Sequence, residues 1–243
     1  MIATSEQEVE ALAGASGFTG HGRIAPQKIV LRRNGVMAPR ELPARGGFRA
    51  KYGLPGQALV VLFLGRLSEK KSPDLLLEAF ARLPGELDGR EVRLALAGPD
   101  ESGMRARLER TARERGVERR VVFTGIILGE EKWSAYGDAD VFVLPSQNEN
   151  FGNTALEAAA CGTPVVVTDG CGVAALLRGH AGIVVRHETS EVARAIEEIL
   201  SDRALRSRLA EGGKNATNLL GWDEPVKQME RLYEELAVPS PAA

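Results

Sequence analysis

At 243 residues, with 44% hydrophobic and 26% charged positions, the chain has the balance of an ordinary soluble globular protein with ample material for a core. Its formal net charge of −2 gives no electrostatic case for nucleic acid or an anionic membrane. No apolar run approaches the roughly 20 residues that span a bilayer, and "MIATSEQEVE" lacks the features of a signal peptide.

The first 58 residues and the rest read differently. "TSEQEVEALAGAS" (4–16) opens as a helix behind a Ser/Thr cap, and "KIVLRRNGV" (28–36) reads as a strand ending in an Asn-Gly turn. Residues 37–58, rich in Pro, Gly and Arg, read as a linker. From residue 59 a rhythm sets in. "LVVLFLG" (59–65) is a wholly apolar run, as a parallel strand covered on both faces requires. "SPDLLLEAFARL" (72–83) follows at helical spacing, with Ser72-Pro73 as its start signal. Further strands are predicted at 92–97, 121–123, 141–144, 164–167 and 182–185. Helices are predicted at 103–115, 129–136, 153–161, 172–178 and 189–200, and closing helices at about 202–218 and 223–237. This alternation predicts an α/β fold, a doubly wound sheet of six parallel strands at residues 59–237. The tail "VPSPAA" (238–243) is expected to be disordered.

In an open parallel sheet, ligands bind beyond the carboxyl ends of the strands. The segments there are "GRLSEKK" from Gly65, "GPDESG" from Gly98, "TGII" ending at Ile126 and Ile127, "PSQNENFGNT" and "TDGCG". Arg66 and Lys71 suit a diphosphate, the first as a planar fork and the second as a point charge; they suit equally a solvated loop that also carries Glu69 and Lys70. The helix beginning near Asn153 offers free backbone N–H groups from Phe151 to Thr154, a seat for an anion or a sugar oxygen. Gly152 allows close backbone approach. Glu149 stands just before that helix start and Glu157 about one turn inside it; carboxylates accept only, so such a pair suits hydroxyls. Both could instead merely complement the helix dipole.

Glu149 and Glu157 form a Glu-x7-Glu pattern that resembles the signature of retaining GT-B glycosyltransferases, specifically glycosyltransferase family 4. The likeness extends to "FLGRLSEKKSPDLLLEAF", "LALAGPDESG", "VVFTGII", "DADVFVLPSQNENFGNTALEAAACGTPVVVTD" and "GWDEPVKQMERLYEEL", and covers about residues 28–237. The resemblance implies the C-terminal, donor-binding domain of such an enzyme, with a UDP-, GDP- or ADP-sugar as its partner. Arg66 and Lys71 would hold the diphosphate, and Glu149, the catalytic candidate, would contact the donor sugar. Asn150 and the backbone of Phe151, Gly152, Asn153 and Thr154 would neighbour sugar and phosphate. Glu157 would take the ribose hydroxyls, and the base would lie beside Ile126 and Ile127. Ser72 stands where the family often has Gly after the lysine, and Asn150 where Gly is common. No metal or other cofactor is implied.

Other signals are weaker. "DAD" (138–140) mimics a metal motif but precedes a strand, hence falls on the amino edge. "GFTGHG" (17–22) has no strand before it and fails as a dinucleotide fingerprint. His21, His180 and His187 lack ligand-spaced partners. Cys161 and Cys171 make neither a disulfide framework nor a zinc site, and read as reduced packing residues. The chain reads as cytoplasmic, the full-length enzyme being peripheral at the inner face of the membrane. Residues 1–36 read as the remnant of an N-terminal acceptor domain. They are expected to find cover on a neighbouring molecule, by self-association, or on helix 223–237. The isolated chain is then expected to bind a donor without useful turnover, the acceptor site lying on a missing N-terminal domain or a partner chain. The alternatives are a non-catalytic nucleotide-sugar-binding subunit and a sugar-nucleotide epimerase-like domain.

Overall fold

The structure, a computed structural model, describes residues 1–14, 24–218 and 220–237. The tail 238–243 and the whole of "GFTGHG" (17–22), His21 included, lie outside them. In chain order the elements are β1 (Ile2–Ala3), α1 (Glu6–Gly14), β2 (Val30–Leu31), α2 (Gly47–Lys51), β3 (Leu59–Leu64), α3 (Pro73–Phe80), β4 (Glu86–Leu87), β5 (Arg90–Ala97), α4 (Met104–Glu114) and β6 (Val121–Gly125). They continue with α5 (Gly129–Asp138), β7 (Val141–Leu144), α6 (Asn153–Ala160), β8 (Val165–Thr168), α7 (Ala174–Leu177), β9 (Gly182–Val185), α8 (Thr189–Ser201), α9 (Arg203–Asn218) and α10 (Asp223–Ala237).

The six strands expected from sequence are all present and mutually parallel. Their spatial order is β6-β5-β3-β7-β8-β9, or 3-2-1-4-5-6 when the six are numbered along the chain. Every residue of β7 and β8 is buried and β3 is covered through Phe63, which is why these strands read as continuous apolar runs. Helices α3, α4 and α8 pack together, as do α6 and α9, and α2 and α5. Helix α8 presents Val192, Ile196, Ile199 and Leu200 inward at helical spacing.

Three features differ from the sequence reading. An antiparallel hairpin joins β4 to the start of β5, with Glu86 opposite Glu91 and Leu87 opposite Arg90. Its turn is Asp88-Gly89, both at positive φ, the two-residue form that suits strand twist. The stretch 37–58, read as a linker, contains α2 and buries Phe48 and Leu54 in the main core. The expected strand 28–36 shrinks to two residues, β2, paired in parallel with β1.

Beyond β2 the chain runs along the closing segment. Val36 donates its N–H to the Leu220 carbonyl at 2.7 Å, the Gln228 amide donates to the Leu31 carbonyl, and Arg32 lies over the Trp222 ring. Residues 30–36 thus pack beside α10, one of the two covers expected for them. Helix α1 starts as a capping box: Ser5 Oγ accepts from the Glu8 N–H at 3.2 Å, and the Glu8 carboxylate reaches back to Thr4.

The amino edge is closed by the "DAD" aspartates. Asp138 accepts from the N–H groups of Gly46, Phe48 and Arg49, fixing the start of α2. Asp140 accepts from Arg49 Nη2 at 2.9 Å and from the Val60 N–H. Arg49, itself buried, also donates to the carbonyls of Asp138, Gly56 and Ala58. Removing one member of such a group leaves a buried charge without its partner. Asp140→Ala should therefore lower the unfolding free energy by about 3–5 kcal/mol in urea titrations. A change to alanine at exposed Glu114 should stay within about 0.5 kcal/mol.

Candidate functional site

At the carboxyl edge, chain directions diverge between β3 and β7. The path from β3 leads through α3 toward β5, and the path from β7 leads through α6 toward β8. Lys71, from the first path, and Glu149, from the second, meet across the crevice between them.

Glycines bring the first two loops together. Gly98 has φ +138°, and a Cβ there would sit 1.9 Å from the Gly65 carbonyl oxygen. Gly65 and Gly98 also extend the ladder past the strand ends, donating to the carbonyls of Ala97 and Gly125. Arg66 is exposed, its Nη1 3.4 Å from Glu101 Oε1. Such a solvated pair is worth little, so the guanidinium can take another partner at small cost. Lys71 closes a single 3-10 turn and its ammonium pairs with the Glu149 carboxylate across the crevice. Both side chains are less than one-fifth exposed, at 18% and 16%.

The loop after β7 is held from both sides. Gln147 donates its N–H to the Lys70 carbonyl, Glu149 to Gly170, Gly172 to Glu149 and Val173 to Phe151. Phe151 is buried in the core, so its side chain anchors the loop and only its backbone can serve a ligand. Gly152 takes φ +105° at the start of α6, and a Cβ there would press on Val173 Cγ1 at 3.0 Å. No side-chain hydrogen bond caps the start of α6 among the described residues, so its first N–H groups lack a side-chain acceptor. Asn153 is exposed and Thr154 half-buried.

Glu157 is oriented by α5: Lys132 Nζ donates to its Oε1 at 2.8 Å and the Tyr136 hydroxyl to its Oε2 at 2.9 Å. Each carboxylate oxygen keeps a second lone pair free. Ile127 is buried, whereas Ile126 is exposed beside a hollow of about 340 Å³ that Gly98, Phe123 and Gly125 also line. The sequence pattern gave no sign of Lys132 and Tyr136; they sit four apart on a helix whose contact with Glu157 exists only once α5 meets α6.

The front end joins the same edge. Asn150 donates to the Glu8 carboxylate at 3.1 Å, Gln7 to the Asp169 carbonyl and Asn34 to Asn153 Oδ1. Between α1 and residues 147–150 lies a hollow of about 350 Å³ bounded by Ile2, Leu12 and Glu149. No group of three potential metal-ligating side chains occurs among the described residues. No helix among them is long and apolar enough to cross a membrane.

A parallel sheet of this order, opening a polar crevice at its point of reversal, is the architecture of GT-B glycosyltransferases. Residues 45–216 match the family model described as glycosyl transferases group 1, and the chain belongs to that family. It is similar to the D-inositol 3-phosphate glycosyltransferase of Streptomyces bingchenggensis, 35% identical over 244 residues, covering 97% of this chain and 52% of that protein. Among solved structures it resembles sucrose-phosphate synthase from Thermosynechococcus elongatus, with a TM-score of 0.80 and 30% identity over 97% of this chain and 57% of that one. The fold also matches Anabaena HepE, solved in complex with UDP-glucose, with a TM-score of 0.81 at 22% identity, covering 96% and 63% of the two chains. The chain thus spans about half the length of the curated relatives it matches.

Tyr136, Cys161 and Cys171 are three buried acids of the core. Burial, and then the Glu157 carboxylate, push the Tyr136 hydroxyl well above its ordinary range and the Cys161 thiol to about 12. Burial raises Cys171 to about 11. The unfolded chain gives up these protons at lower pH than the folded one. Their contribution to stability is therefore whole below the ordinary thiol value of 9.0 and is lost as pH rises through about 11 and 12. Unfolding free energy should fall between pH 9 and 11, less steeply in Cys161→Ala. Identical slopes in the two proteins would contradict the burial of this thiol.

Proposed function

We propose that the carboxyl edge binds a nucleotide-diphospho-sugar, the donor of a retaining glycosyl transfer, in the manner of glycosyltransferase family 4. The observation that carries this reading is the Lys71–Glu149 pair spanning the crevice, with the uncapped start of α6 beside it and Glu157 one turn further in. A cation for phosphate and a carboxylate for hydroxyls stand next to each other. A diphosphate bearing a sugar presents those two chemistries side by side.

In this reading Arg66 and Lys71 hold the diphosphate, and the N–H groups from Phe151 to Thr154 share its charge. As the glycosidic bond breaks, negative charge builds on the leaving phosphate, and these groups stabilise it without a metal. Glu149, released from Lys71 as the lysine turns to phosphate, accepts from hydroxyls of the hexosyl group near the reacting carbon. Glu157, pre-set by Tyr136 and Lys132, accepts from the ribose hydroxyls. The base lies in the hollow beside Ile126 and the backbone of Ile127, with Gly65 and Gly98 leaving room for the nucleotide at the strand ends.

We assign the donor-binding unit to residues 59–237, with α2 and the rest of 46–58 packed into it. The segment 1–36, whose β1 and β2 form a separate two-stranded sheet, belongs on this reading to the acceptor side. With both cysteines free and buried rather than joined in a disulfide, we place the protein in the cytoplasm.

Transfer also needs an acceptor held against the anomeric carbon, positioning that accounts for about 7–11 kcal/mol of a barrier. The 243 residues alone are therefore expected to bind donor but to turn over at well under about 1 per second. Calorimetry with UDP-, GDP- and ADP-sugars identifies the donor. Arg66→Ala or Lys71→Ala should then weaken the nucleoside diphosphate roughly ten- to a hundredfold, the loss of one charge-assisted hydrogen bond. The nucleoside should bind unchanged. Equal losses for both would overturn the assignment, and rapid turnover by this chain would overturn the division of labour.

A further inference from the structure

Ser72 follows Lys71 directly and adopts φ +50°, ψ +48°. That left-handed conformation is costly for a residue with a Cβ, and the next residue is Pro73, which favours extended backbone before it. A strained residue of this kind persists only where its surroundings hold it. Ser72 is 4% exposed, and its N–H donates to the carbonyls of Ser68 and Glu69. Its hydroxyl donates to the Glu69 carbonyl at 3.1 Å. That uses its single proton, so the contact of 2.9 Å to His187 Nε2 has the imidazole N–H donating to Ser72 Oγ. His187 comes from the loop after β9, at the far edge of the sheet; it reaches Ser72 because α8, which follows it, crosses back to pack on α3.

We propose that His187 is a positioning residue for the donor diphosphate. It fixes the left-handed Ser72, which closes the turn Glu69–Ser72 and aims Lys71 into the crevice. The inference rests on the donor-site reading above and names a residue which that reading leaves unused. The strain also defines what replaces the brace: glycine at position 72 adopts this φ without cost and removes the need for it.

The test is calorimetric titration of UDP, GDP and ADP, the tightest-binding of the three then being used throughout together with its nucleoside. His187→Ala should weaken the diphosphate about three- to tenfold, the worth of one neutral hydrogen bond, and leave the nucleoside unchanged. His187→Gln, whose amide nitrogen reaches the place of Nε2, should restore most of the affinity. In a Ser72→Gly background the His187→Ala change should cost less than about twofold, because the conformation no longer needs holding. Full diphosphate affinity in His187→Ala, an equal loss for nucleoside and diphosphate, or an undiminished loss in the Ser72→Gly background would overturn the brace while leaving the donor site standing. Failure of the unaltered chain to bind any of the three would overturn the donor site and the brace with it.

Discussion

The carboxyl edge depends on one constraint, the reversal of strand order between β3 and β7. These neighbours are in register, Val61 opposite Val141 and Leu62 opposite Phe142, yet the chain leaves them in opposite directions. No crossover covers the gap at their ends, so polar groups can stand there facing solvent or a ligand. Lys71 and Glu149 meet across that gap. Gly98 against Gly65 keeps the floor beside it free of side chains, and Gly152 turns the chain sharply into α6. The hydrogen bonds from residues 147–151 to the loops on either side convert a long polar connection into a fixed wall.

The two edges of the sheet are built on opposite principles. At the amino edge the buried charges are spent inside the protein: Asp138 and Asp140 take backbone N–H groups and Arg49, and Arg49 fills its donors with carbonyls. Among the described residues, Arg66 at the carboxyl edge has only a long, exposed partner and the start of α6 has no side-chain cap. Glu157 keeps acceptor capacity although two donors orient it. A rigid, internally satisfied side supports one that is held in shape with bonding capacity to spare, which is how a pre-organised binding surface differs from a merely polar one.

The sheet was legible because burial on both faces leaves its own mark: "VFVL" and "PVVV" have no polar alternation to mislead a reader. The site loops were legible because sheet topology dictates where ligands lie, and Glu149, Gly152 and Glu157 fall at a helix start. The hairpin at Asp88-Gly89 is also written in the sequence, as a two-residue turn between short segments, but the apolar strand that follows it carries the stronger pattern. Residues 46–58 misled by composition: their Pro, Gly and Arg resemble a linker until Arg49 finds Asp140 some 91 positions away. Lys132, Tyr136 and His187 leave no local signal. Their partners Glu157 and Ser72 come within reach only through helix packing.

The account turns on what happens at the Lys71–Glu149 pair when a donor arrives. The most direct measurement is a crystal structure of this chain with its tightest-binding nucleotide-sugar. The account predicts the diphosphate within hydrogen-bond reach of Arg66 and Lys71, the hexosyl hydroxyls on Glu149, the ribose hydroxyls on Glu157 and the base beside Ile126. A nucleotide bound elsewhere on the molecule, or bound here with the Lys71–Glu149 pair intact and the diphosphate in solvent, would contradict it.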